Sequence, residues 1–152
     1  MNGTLSIDID LGRITAWSTR DGVVADSDPV LPIAAMKTHN IVLIETVSPF
    51  FYVEKGKKLT KGEMVNRLKW AIYNAAMCAT AYAELPTALF SPSSAWTKKY
   101  PEDVREVMAG CFKTYNHDVR ACICMEFFYR HDPKLWVPWP HHIQTLLKEN
   151  KP

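Results

Sequence analysis

The sequence predicts an α/β protein on a mixed five-stranded sheet, three antiparallel strands followed by two parallel ones, flanked by helices. Three observations lead there. Leu5, Ile7 and Ile9 alternate with Ser6, Asp8 and Asp10, the two-residue period of a strand with one buried face. Ile41 to Val47 is apolar and β-branched apart from Glu45 and Thr46, as in a strand covered on both faces. Met64, Leu68, Ile72, Ala75, Ala79 and Tyr82 recur at three- and four-residue steps, the period of a long helix.

Each element has its own signals. Thr4–Asp10 is the first strand, and Gly12 turns the chain into a second, Arg13 to Thr19. Asp21-Gly22 is a hairpin signal leading to a short third strand, Val23 to Asp26. After Pro29 and Pro32 comes a short helix, Ile33 to Thr38, and then the fourth strand. Ser48 to Gly62 breaks the pattern; Lys55, Lys57, Lys58 and Lys61 crowd around two glycines in an exposed basic loop. Thr60 and Glu63 have capping-box spacing at the start of the long helix, which Pro86 stops. Thr87 to Ser91 reads as a fifth strand, Pro101 opens a helix that Gly110 closes, and Asn116 caps another from Asp118 to Tyr129. A last helix is expected over Ile143 to Glu149.

Composition narrows the function classes. A chain of 152 residues, 47% hydrophobic, has the length of one compact domain, expected to span 1–152. A balance of 18 basic against 16 acidic side chains gives +2, so a chain-wide basic field is excluded and any nucleic-acid site must be local. Asp8 and Asp10 interrupt the first apolar run, so no signal peptide is expected, and no apolar run is long enough to span a membrane. The cysteines Cys78, Cys111, Cys122 and Cys124 sit in or beside apolar stretches without a Cys-x-x-Cys pair. Cys111, Cys122 and Cys124 read as buried structural thiols rather than zinc ligands with His117 and His131, and the expected setting is reducing and cytoplasmic. Trp136 and Trp139 read as anchors for the tail.

Two carboxylates stand where strands prefer apolar residues. Asp10 ends the first strand with Asp8 on the same side, and Glu45 interrupts the most apolar run. If the first and fourth strands are neighbours, Asp10 and Glu45 converge on one divalent cation, and Asp118 at a later helix start completes an oxygen site suited to magnesium or manganese. The alternative is structural: Asp10 caps a turn and Glu45 pairs with a buried Lys or Arg.

These residues resemble a family. Ile7-Asp8-Ile9-Asp10-Leu11-Gly12-Arg13-Ile14-Thr15-Ala16-Trp17 looks like the first motif of RuvC-type Holliday-junction resolvases, with Asp10 in the position of the catalytic aspartate and Asp8 as an extra acid. Leu43-Ile44-Glu45 resembles the second motif, and Asn116-His117-Asp118-Val119-Arg120-Ala121-Cys122 the acidic cluster that opens the final helix of an RNase H-like fold. The chain departs from the pattern at Tyr115, where the family commonly has a second acid. The family's two lysines have no clean counterparts, Lys98 and Lys99 being the nearest.

The resemblance implies an RNase H-like nuclease domain and hydrolysis of phosphodiesters with two metal ions, Mg2+ or Mn2+, about 3.5 to 4 Å apart. In it Asp10 would bridge the metals, Glu45 and Asp118 would hold one each, Asp8 or His117 would serve as fourth ligand, and His117 could instead shuttle a proton. It also implies a homodimer that makes paired nicks in branched DNA, with the long helix at the dimer contact and no small-molecule cofactor. Phe50, Phe51 and Tyr52 would stack on unpaired bases at the junction centre, while Lys55, Lys57, Lys58, Lys61, Lys98 and Lys99 would hold phosphates. Two rivals share the fold. One is a nuclease for flaps, mismatches or hybrids; the other is a non-catalytic nucleic-acid-binding or scaffold protein whose carboxylates are structural.

Overall fold

The computed structural model describes residues 3–10, 13–45, 58–82, 87–90 and 115–138. Strands β1 (Thr4–Asp10), β2 (Arg13–Ser18) and β3 (Gly22–Asp28) form an antiparallel meander. After the one-turn helix α1 (Ile33–Met36), strand β4 (Ile41–Glu45) returns parallel to β1, with Ile7 opposite Ile44. The long helix α2 (Lys61–Tyr82) connects to β5 (Thr87–Phe90), parallel to β4. Helix α3 (His117–His131) follows, then a 3-10 turn at Pro133–Leu135 and β6 (Val137–Pro138), antiparallel to β5. The sheet order is β3-β2-β1-β4-β5-β6. The expected five strands are present in the expected directions, and β6 adds a sixth; two residues ending in a proline leave no periodic signal in the sequence.

Alternation in β1 sorts the core into two layers. Leu5, Ile7 and Ile9 face Tyr73, Ala76 and Met77 of α2 and Met36 of α1, together with Ile14, Ala16, Val42 and Ile44. On the opposite face Leu43 packs with Cys122, Met125 and Phe128 of α3 and with Trp136. Trp136 thus pins the segment after α3 to the core, as its sequence position suggests; Trp139 lies outside the described residues.

Caps set the helix ends. The Glu63 amide donates to Thr60 Oγ1 at 3.1 Å and the Thr60 amide to Glu63 Oε1 at 3.4 Å, the reciprocal pair expected at the start of α2. At α3, Asn116 Oδ1 accepts the Val119 amide at 2.9 Å. The third strand runs longer than its sequence signal because Ser27 takes a left-handed φ of 59° that carries the strand past a register shift to Asp28. At the far end of the sheet, Ser18 Oγ takes the amides of Arg20 and Asp21 and meets His39 Nε2 at 2.6 Å, while His39 Nδ1 meets the Ala35 carbonyl at 2.6 Å. His39 is buried, so this chain of bonds ties the β2–β3 turn to α1. Among the described residues no helix is long and apolar enough to cross a membrane. The helices expected at Pro101 to Gly110 and Ile143 to Glu149, and Thr46 and Val47 of the fourth strand, lie outside the described residues.

Candidate functional site

The α3 face of the sheet is apolar at its centre and acidic at one end. Asp8 and Asp10 belong to the side of β1 that carries Ser6, away from Leu5, Ile7 and Ile9, and β1 and β4 run parallel with Ile7 opposite Ile44. The next residues in register, Asp8 and Glu45, therefore stand side by side, and their carboxyl groups share a hydrogen bond. The first turn of α3 brings Asp118 over the same strand ends, close enough for its charge to act on Asp8.

Electrostatics mark Asp8 as the centre of this cluster. Burial, then the hydrogen bond and charge of Glu45, then the charges of Asp118 and Asp10 push its carboxyl up to about 8. Several acids around one half-buried carboxyl disfavour its ionised form, which raises the affinity of Asp8 for a proton. Beneath them Cys122 is fully buried and donates to the Thr15 carbonyl at 3.3 Å. Burial and the charges of Asp8, Glu45 and Asp118 raise its thiol well above the usual range, which fits an inert, protonated structural cysteine.

Asp10 occupies the rim. Its carboxylate lies 3.8 Å from Arg13 Nη2 and 3.7 Å from Lys69 Nζ, and 40% of the side chain is exposed. Lys69 gave no signal in the sequence, since only the packing of α2 brings it beside the end of β1. His117 is exposed, one residue before Asp118. Lys58 and Lys61 are exposed at the approach to α2. Phe50, Phe51, Tyr52, Lys55, Lys57, Lys98 and Lys99 lie outside the described residues.

The donor set is all oxygen, and the negative charges crowded around Asp8 favour a neutralising cation; both suit a hard divalent ion. Asp8 and Glu45 form the inner pair. Asp118 and Asp10 face it without closing on it, for among the described residues no three Asp, Glu, His or Cys side chains meet at one point.

Three antiparallel strands, two parallel strands and a helix that brings an acid over the sheet make an α/β fold of RNase H-like arrangement, and the fold is RuvC-like. No family model and no curated protein matches the sequence. Among solved structures the chain is similar to Thermus thermophilus RuvC in complex with a Holliday junction substrate, at 11% identity and a TM-score of 0.57. That match covers 91% of this chain and 99% of the other. It is also similar to a second Thermus thermophilus RuvC structure, at 14% identity and a TM-score of 0.46, covering 89% and 98% of the two chains.

Proposed function

We propose that the protein is a metal-dependent, structure-selective endonuclease that resolves four-way DNA junctions by paired phosphodiester hydrolysis. The observation that carries this reading is the gathering of Asp8, Glu45 and Asp118 at the strand ends of a RuvC-like fold, where burial and the neighbouring acids raise the Asp8 carboxyl above its ordinary range. Asp8 and Glu45 would hold the cation, with Asp118 and Asp10 as the further carboxylates of a site for two Mg2+ or Mn2+ ions. Such ions supply an activated water and offset charge on the leaving oxygen. His117, exposed beside Asp118, would ligate or carry a proton. Arg13 and Lys69 at the Asp10 rim offer positive charge to an arriving phosphate.

The reading extends to the partner surfaces. Phe50, Phe51 and Tyr52 would stack on bases exposed at the junction, and Lys55, Lys57, Lys58, Lys61, Lys98 and Lys99 would hold the backbone. A second copy would dock on α2, where Met64, Leu68, Ala71, Ala75 and Cys78 are exposed at four- and three-residue steps. Met64 is 53% and Leu68 51% exposed, an apolar stripe on the side away from Tyr73, Ala76 and Met77. The setting would be cytoplasmic, with no organic cofactor.

A second reading, a non-catalytic junction-binding protein, is favoured by one observation: Asp10 faces Arg13 and Lys69 as a structural ion pair would. End-labelled four-way junction, flap and linear duplex, each with and without Mg2+ or Mn2+, separate the two. Paired metal-dependent nicks in the junction, lost in Asp8→Asn and Glu45→Gln, support the nuclease; binding without cutting under either metal supports the second reading.

A further inference from the structure

Asp26 lies on β3, the outermost strand of the meander, and nothing in its sequence context connects it with the acidic cluster. Between the pairs Ala16–Ala25 and Ile14–Asp28, β3 spends one more residue than β2. That extra residue is accommodated by the left-handed φ of 59° at Ser27, whose amide donates to Thr15 Oγ1 at 3.4 Å. Bulges of this kind bend a strand and re-aim a side chain. Here the side chain is Asp26, exposed, which accepts from Asn116 Nδ2 at 3.0 Å on Oδ1 and 3.1 Å on Oδ2, and from the neighbouring Ser27 hydroxyl at 3.5 Å on Oδ1.

Asn116 is the N-cap of α3, its Oδ1 committed to the Val119 amide at 2.9 Å. Both ends of one amide are therefore in use, one holding the helix start and the other holding it to β3. Asp118 follows two residues later in the first helical turn, facing Asp8 and Glu45. We propose that Asp26 is a positioning residue for the acidic site, which through Asn116 fixes the first turn of α3 so that the Asp118 carboxylate is presented to the Asp8–Glu45 pair. This rests on the reading of that cluster as a divalent-cation site. Asp26 itself touches neither cation nor DNA in this scheme. The bulge supplies the offset that a regular strand would not, and the contact of one amide nitrogen with both carboxylate oxygens ties the helix start to β3.

The test is Mn2+ binding to the full-length protein, followed by the electron paramagnetic resonance signal of free Mn2+, in wild type, Asp26→Ala, Asp26→Asn and Asp8→Asn. Thermal midpoints are taken in parallel. Loss of a residue that orients a ligand weakens metal affinity by about 10- to 100-fold. Asp26→Ala is expected at the lower end of that range. Asp26→Asn, which keeps one acceptor oxygen, should show a smaller loss and carries the test if Asp26→Ala does not fold. A merely structural role would lower the thermal midpoint and leave the Mn2+ Kd unchanged well below it, and that result overturns the proposal while leaving the cation site standing. If wild type binds Mn2+ no better than Asp8→Asn, the cation-site reading fails and this inference fails with it.

Discussion

At Asp8, folding works against ionisation. Its pKa rises from 3.8 to about 8 in the fold, so the native state holds its proton more tightly than the unfolded chain does. The stability this confers is complete below about pH 4 and is lost as the pH rises towards about 8. Without a divalent cation, the melting temperature should therefore fall between pH 5 and 8.5 by an amount on the order of 10 °C. Asp8→Asn should flatten that slope and melt higher than wild type at pH 8, and added Mg2+ should restore wild type but not the variant. A slope unchanged in Asp8→Asn would place the titration elsewhere. Sequence alternation put Asp8 and Asp10 on one side of β1. It paired Asp10 with Glu45, whereas the cross-strand pairing of Ile7 with Ile44, which no local pattern encodes, brings Asp8 beside Glu45 and leaves Asp10 at the rim. The buried His39 bridge makes a separate prediction. With Nδ1 donating to Ala35 and the Ser18 hydroxyl donating to Nε2, His39→Ala strands a buried serine and should cost about 1–3 kcal/mol in urea unfolding.

Elements were legible where their signals are local. The capping box at Thr60 and Glu63, the N-cap at Asn116 and the alternation of β1 each need only a few neighbouring residues, and each stands where the sequence puts it. The β3 bulge, the β6 pairing and the approach of Lys69 to Asp10 are set by tertiary packing and left no such trace. Thr60→Ala removes the acceptor for the Glu63 amide and should lower stability by about 1 kcal/mol, measured by chemical unfolding. Helix α2 has apolar residues on its sheet-facing side and on its outer stripe, which is unusual for a helix covered on one side only. Leu68→Glu places a charge in that stripe without touching the core. If the proposed dimer forms on α2, sedimentation equilibrium should show wild type dimeric and the variant monomeric while the circular dichroism spectrum is retained; a wild type monomeric at the highest concentrations would remove the docking role of α2.

Across the molecule, the two faces of the sheet have separate tasks. The α2 face holds most of the aliphatic core, while the α3 side gives one end to acids and elsewhere buries Leu43, Met125, Phe128 and Trp136, together with Glu126 paired to Arg130. With a net charge of +2, the proposed DNA affinity would rest on local lysines and arginines, and junction binding would then weaken steeply with salt. A cation at the acidic end would also neutralise the repulsion between that end and a phosphate. The measurement that tests the central claim most directly is cleavage of an end-labelled four-way junction in Mg2+ or Mn2+ by wild type and Asp8→Asn. A two-metal site at Asp8 should give paired nicks that need the metal and a loss of more than about 100-fold in the variant, with junction binding retained. Binding without cleavage in either metal, or cleavage undiminished in Asp8→Asn, would contradict it.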